Sequence, residues 1–113
     1  MKYLFSIIIL ILLAVNVQAE VRTEVVEYKQ GNAVLEGYLA YDDAVKGKRP
    51  GVLIVHEWMG VNPYVKKRAE QLAKLGYVAF AADIYGKGVR PKNSDEAASE
   101  SKKYKTDRQL MRN

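Results

Sequence analysis

The stretch PGVLIVHEWMG, at residues 50–60, decides the fold of this chain. Residues 52–55 form a continuous apolar run that is rich in β-branched side chains, and polar residues follow it at once. Such runs are typical of strands covered on both faces, which occur in parallel sheets flanked by helices. The stretch therefore predicts a buried strand of an α/β protein and a helix after it.

The segment after this strand carries clear helix signals. Asn62 can cap a helix that starts at Pro63 and stops at Gly76, with one apolar face. This face comprises Val65, Ala69, Leu72 and Ala73. Residues 77–83 then predict a second buried strand, so the three elements form a strand–helix–strand unit with a right-handed crossover.

The segments on either side complete the predicted architecture. Residues 21–29 and 34–41 have strand character and are separated by Gln30-Gly31-Asn32, which predicts a β-hairpin. Residues 84–93 form a loop, and a last helix starts near Ser94, with Asn93 or Ser94 as its cap. Its predicted face is a stripe formed by Ala97, Ser101, Tyr104, Arg108 and Met111. We expect this helix to run to residue 113 without a stop signal, as in a domain cut in mid-element.

Composition and the first residues limit the class of protein. The 113 residues suit one small domain, and 49% are hydrophobic and 27% charged. Residues 1–19 contain an apolar run that is too short to span a membrane and small residues before Glu20, which predicts a cleaved signal peptide and export. An uncleaved anchor is the alternative. The absence of cysteine excludes disulfides and thiol catalysis within this stretch.

The net charge of +5 does not indicate a nucleic-acid partner. A nucleic-acid site needs basic residues clustered on one face with motif support, whereas these are dispersed. The densest cluster, at residues 66–68, falls on the polar side of the predicted helix. Neither a cofactor nor a metal site is indicated.

Two blocks, "HE-W-x-G-x-N" at residues 56–62 and "D-[IL]-Y" at residues 83–85, are more specific. In their order and spacing the chain resembles the dienelactone hydrolase family over residues 24–113. The resemblance implies an α/β-hydrolase fold whose nucleophile, a cysteine in that family, stands at a strand-to-helix elbow and attacks an ester or lactone carbonyl. The chain contains no G-x-S-x-G or G-x-C-x-G motif, so we expect residues 20–113 to be the N-terminal portion of such a domain, before the elbow.

The resemblance assigns roles to three residues. Glu57 matches the glutamate that helps to generate the nucleophilic thiolate, and Trp58 matches a backbone N–H of the oxyanion hole, with its indole lining the substrate pocket. Lys87 stands where the family carries an arginine that binds the substrate carboxylate, although lysine lacks the bidentate fork. The alternatives are a strand-end cap for Glu57, an aromatic side chain without a role for Trp58 and a solvated loop lysine for Lys87.

Two other polar residues of these blocks are interpreted as structural. His56 is the only histidine, but in the resembling family the catalytic base comes later in the chain, so we expect it to support the strand end. Asp83 is expected to anchor its own loop, since no second clustered carboxylate suggests a metal site.

Three hypotheses follow for the chain as a whole. The first is an exported hydrolase of carboxylic esters or lactones, with a small molecule as its substrate. The second is a non-catalytic periplasmic binding domain that keeps the hydrolase rim. The third is an unstable remnant, because a sheet cut after its first strands leaves an unpaired edge.

Overall fold

A mixed four-stranded sheet with one helix packed on its face forms the frame of the structure, a computed structural model that describes residues 20–112. The elements follow in the order β1 Val21–Gln30, β2 Ala33–Asp42, β3 Gly51–Val55, α1 Pro63–Lys74, β4 Val78–Ala82, α2 Ser94–Thr106 and α3 Arg108–Arg112. The predicted signal peptide, residues 1–19, lies outside the described residues. No helix among residues 20–112 has the length and apolar character that a membrane crossing requires.

The sheet has the strand order β1-β2-β4-β3. Strands β1 and β2 form the predicted antiparallel hairpin, closed at a turn where Gly31 adopts a positive φ of 57°. Strand β4 pairs antiparallel with β2 and parallel with β3. The hairpin and the strand–helix–strand unit are therefore confirmed, and with them the α/β class.

Helix α1 begins and packs as its sequence predicts. The Asn62 side chain accepts a hydrogen bond from the Val65 N–H, and Pro63 occupies the first turn. The face that it buries meets a layer of small side chains on the sheet, which lets the helix approach closely. Five alanines in this contact are fully buried: Ala40, Ala69, Ala73, Ala79 and Ala81. The core therefore lies between α1 and one face of the sheet.

The prediction that β3 is covered on both faces is wrong for the described residues. Leu53 is 65% exposed and Val55 is 62% exposed, whereas Ile54 packs against the core. The reason is that α1 is the only helix among the described residues that contacts β3, and it covers only the face that carries Ile54. One apolar face of this strand is thus left in contact with solvent.

The last helix is also shorter than predicted. Helix α2 ends at Thr106, and Asp107 takes an extended conformation, with φ −107° and ψ 94°. Its carboxylate accepts hydrogen bonds from the N–H groups of Gln109 and Leu110, at 3.0 and 3.1 Å, and so starts helix α3. Ala97 and Ser101 are buried, as the predicted stripe requires. Arg108 and Met111 are exposed, because the interruption of the helix at Asp107 takes them off this stripe.

Close contact between β2 and β4 gives a stability prediction at Gly37. A Cβ atom at this residue would lie 2.5 Å from Cζ of Phe80 and 2.9 Å from the backbone oxygen of Ala81. Because a backbone carbonyl cannot turn aside, we expect Gly37→Ala to lower the free energy of unfolding by about 1–3 kcal/mol. Urea denaturation followed by circular dichroism measures this change.

The matched control is Gly51→Ala. At Gly51 the nearest atom to an added Cβ is the backbone oxygen of Val78, at 3.9 Å, which is an ordinary contact. We expect this variant to stay within about 0.5 kcal/mol of the parent. Equal losses in the two variants would contradict the steric explanation.

Candidate functional site

The loops that follow β3 and β4 lie side by side at the carboxyl ends of these strands, as their parallel pairing requires. The Ile84 N–H donates to Nε2 of His56 at 3.1 Å, and the Tyr85 hydroxyl donates to the Trp58 carbonyl at 2.9 Å. The His56 and Tyr85 rings also meet edge to face, with centroids 4.8 Å apart. The two sequence blocks therefore form one rim, as predicted.

His56 ties the two loops together. Its ring is buried, and Nδ1 lies 2.6 Å from the Glu57 carbonyl oxygen while Nε2 accepts from Ile84. A carbonyl needs a donor and an N–H needs an acceptor, so this network assigns the neutral ring with its proton on Nδ1. Both nitrogens are thus occupied, which agrees with the structural role predicted for this histidine.

Asp83 anchors its loop, also as predicted. Its buried carboxylate accepts from the N–H groups of Tyr85 and Gly86 through Oδ1, at 3.1 and 3.2 Å, and from the Glu36 N–H on β2 through Oδ2, at 2.9 Å. The Tyr28 hydroxyl from β1 holds the adjacent backbone, accepting from the Asp83 N–H at 2.8 Å. Asp83 therefore joins the loop to both strands of the hairpin.

Arg90 completes the anchor and was not singled out in the sequence. Its guanidinium lies 3.3 Å from Asp83 Oδ1 and also donates to the carbonyls of Gly86, Val89 and Glu36. A buried carboxylate usually needs a paired cation. The sequence feature that could have identified Arg90 is therefore its position in the loop that follows a buried aspartate.

Glu57 and Trp58 share a pocket of about 340 Å³ on the rim. Glu57 is exposed, and within residues 20–112 its carboxylate makes no hydrogen bond or ion pair. Solvent reaches this carboxylate, so it needs no partner within the described chain, and it caps no backbone N–H at the strand end. The Trp58 N–H likewise finds no acceptor among the described residues, while the indole is 45% exposed.

Two tyrosines form the apolar wall of this pocket. Tyr85 and Tyr104 stack with centroids 5.5 Å apart, and both side chains also line a neighbouring pocket of about 500 Å³. Burial raises the pKa of each hydroxyl, and the nearby Glu100 carboxylate raises it further. The wall is uncharged at neutral pH, which suits a ligand with an apolar group. Tyr104 was predicted only as part of the stripe of the last helix, and not as part of the site.

Lys87 is not brought to this pocket. Its ammonium forms an ion pair with Glu27 on β1, and its N–H donates to the Val34 carbonyl at 2.9 Å. The hydrogen bond and the negative charge of Glu27 raise the pKa of Lys87, so the lysine stays charged. Of the three predicted site residues, the structure therefore joins Glu57 and Trp58 and places Lys87 apart. Within residues 20–112, no group of three or more His, Cys, Asp or Glu side chains is placed to hold a metal ion.

Comparison with known proteins places this rim in a family context. Residues 35–112 match the model of the dienelactone hydrolase family. Over 80 residues the chain is 38% identical to YghX of Escherichia coli strain K12, which is named as a possible hydrolase fragment, and the match covers 68% of each chain. The matches with four other curated relatives cover only 26–32% of those proteins.

Solved structures show the same relationship. A structure named m3DLH superposes with a TM-score of 0.73 at 32% identity, covering 78% of this chain and 37% of the other. P91, described as a dienelactone hydrolase-like promiscuous phosphotriesterase from metagenomic libraries, gives a TM-score of 0.75 at 32% identity, covering 82% of this chain and 38% of the other. The chain thus spans little more than a third of either structure, in the α/β-hydrolase fold that was predicted.

Proposed function

Because the chain belongs to the dienelactone hydrolase family, we propose that it forms the oxyanion and activation loop of a hydrolase acting on carboxylic esters or lactones. The observation that carries the proposal is that Glu57 and Trp58 line one pocket, and that neither the Glu57 carboxylate nor the Trp58 backbone N–H has a hydrogen-bond partner among residues 20–112. A carboxylate accepts a proton, whereas a backbone N–H stabilises negative charge on an oxygen atom. The two groups therefore suit different atoms of one reaction.

Each group has a definite role in this proposal. The Trp58 N–H donates to the carbonyl oxygen of the substrate, where negative charge develops as the tetrahedral intermediate forms. The Glu57 carboxylate takes a proton from the nucleophile, since a nucleophile attacks far better in its deprotonated form. The stacked tyrosines contact the apolar part of the ester. The sequence contains no G-x-S-x-G or G-x-C-x-G motif that would carry the nucleophile. The proposal assigns neither the nucleophile nor its acid and histidine to a residue of this chain.

Lys87 remains our proposed contact for a substrate carboxylate. Its side chain stays about half exposed in the ion pair with Glu27, so a charged substrate would compete with Glu27 for it. Exposed ion pairs of this kind contribute little free energy and exchange readily. Export of the protein, through the predicted signal peptide, is part of the same proposal.

A chimera tests the role of Glu57. Residues 35–112 of this chain would replace the aligned segment of m3DLH, and hydrolysis of a chromogenic acetate would be followed. We expect the chimera to hydrolyse the ester and Glu57→Gln to lower kcat/KM about 100-fold, because the amide cannot accept the proton. Asp95→Asn, which changes an exposed carboxylate on α2, is the matched control and should leave the rate unchanged.

The chain by itself provides the baseline for this experiment. We expect it to show no hydrolysis above that of its Glu57→Ala variant, because it lacks the nucleophile motif. A chimera in which Glu57→Gln keeps the full rate would refute the assignment of Glu57. A folded chimera that binds the ester without turnover would favour the non-catalytic binding domain instead.

A further inference from the structure

The peptide unit between Glu57 and Trp58 has its carbonyl group held from two sides. Nδ1 of His56 lies 2.6 Å from the Glu57 carbonyl oxygen, and the Gly60 N–H donates to the same oxygen at 3.2 Å. The other end of this unit is the Trp58 N–H, the oxyanion donor of the proposed function. The unit is trans, so its C=O and N–H bonds point in opposite directions within one plane. Holding the carbonyl therefore fixes the direction of the donor.

The next peptide unit, between Trp58 and Met59, is held as well. The Tyr85 hydroxyl donates to the Trp58 carbonyl at 2.9 Å. The Tyr85 ring also meets the His56 ring edge to face, with centroids 4.8 Å apart. The backbone of Trp58 is thus held at both of its peptide units by two side chains that contact each other.

The loop after β4 selects the form of the His56 ring. The Ile84 N–H donates to Nε2 at 3.1 Å, and a ring nitrogen that accepts a hydrogen bond carries no proton. The neutral ring therefore has its proton on Nδ1, where it can donate to the Glu57 carbonyl. The loop is itself anchored, because the Asp83 carboxylate accepts from the Glu36 N–H on β2 at 2.9 Å. The position of this loop thus determines the tautomer that the Glu57–Trp58 peptide unit requires.

We infer that His56 is a positioning residue for the oxyanion donor, acting through the Glu57–Trp58 peptide unit and without contact to the substrate. The inference rests on the proposed function, since it explains why the Trp58 N–H is prearranged as a donor. A prearranged donor needs no reorganisation when negative charge develops on the substrate oxygen. The hydrogen bond from Nδ1 also polarises the peptide unit, which makes its N–H a stronger donor.

Two amide variants separate the two hydrogen bonds of His56. The side-chain nitrogen of asparagine is bonded to Cγ, as Nδ1 is, so His56→Asn can keep the donor to the Glu57 carbonyl. The side-chain oxygen of glutamine stands one bond further out, as Nε2 does, so His56→Gln can keep only the acceptor for Ile84. In the chimera, with the chromogenic acetate, we expect His56→Gln to lower kcat about tenfold with KM little changed. His56→Asn should recover most of this loss.

Stability measurements distinguish this role from a merely structural one. Each variant loses one hydrogen bond of a buried ring, so the two should have similar urea midpoints. A histidine that only ties the loops together would then give the two variants equal kcat values. Equal kcat values, or a parental kcat in His56→Gln, would overturn the inference.

The ring of the unaltered chain provides a test that needs neither variant to fold. A two-bond ¹H–¹⁵N correlation spectrum of the neutral ring should show the proton on Nδ1, and a proton on Nε2 would overturn the inference. Trp58→Pro in the same chimera separates the two proposals. A rate that falls with Trp58→Pro but not with His56→Gln overturns the role of His56 alone. A rate that does not fall with Trp58→Pro overturns the oxyanion role and, with it, this inference.

Discussion

Replacing Asp83 with alanine is expected to lower the free energy of unfolding by about 3–5 kcal/mol, the range for breaking a buried ion pair from one side. The carboxylate is fully buried, while its partner Arg90 is 26% exposed. Its removal leaves the guanidinium without its counter-ion and three backbone N–H groups, from Glu36, Tyr85 and Gly86, without their acceptor. Urea denaturation followed by circular dichroism measures the loss.

Two variants frame this prediction. Asp83→Asn keeps one acceptor oxygen for the loop but loses the charge. Its free energy of unfolding should therefore lie between those of the alanine variant and the parent. Asp43→Ala removes a carboxylate that is 36% exposed and pairs with Arg22 at 2.7 Å, and should cost no more than about 1 kcal/mol. Similar losses at residues 43 and 83 would show that burial of Asp83 does not determine its importance.

Trp58→Pro is expected to lower kcat/KM of the chimera by about 10²–10³-fold, the usual cost of one lost oxyanion donor. The substitution suits the backbone, because Gly60 N–H donates to the Glu57 carbonyl at 3.2 Å and so makes Trp58 the second residue of a turn. Proline is favoured at that position of a turn, and it removes the N–H that the proposal requires.

Trp58→Phe is the matched variant, since it keeps the N–H and an aromatic ring. We expect it to retain most of the rate, and circular dichroism should show both variants folded. Equal losses in the proline and phenylalanine variants would mean that the indole, and not the backbone donor, determines the rate.

The order of the elements could be predicted because its signals act locally. Asn62 and Pro63 start α1 through groups within one turn, and Gly31 supplies the positive φ that the hairpin turn requires. The place of β3 in the sheet could not be predicted, because an apolar run does not reveal which other strands flank it. The break at Asp107 was missed for a related reason: a single aspartate in a charged segment is a weak signal against a continuing helical period.

The position of the rim could be predicted, but only some of its contacts could. Parallel strands bring their carboxyl ends together, so the rim follows from order alone. The ion pair of Lys87 with Glu27 joins residues 60 positions apart, and no local pattern in the sequence indicates it. The same holds for the contact of Asp83 with Glu36, at a separation of 47 residues.

These separations have a consequence for the order in which the protein folds. The rim loop is held by Asp83 through partners 47 and 55 residues earlier in the chain, so it cannot become ordered until the hairpin has docked on β4. Contacts between residues so distant in sequence form slowly, because the intervening chain must first close as a loop. The hairpin therefore acts as a template for the pocket, and the pocket should be the last part of this domain to acquire its native shape.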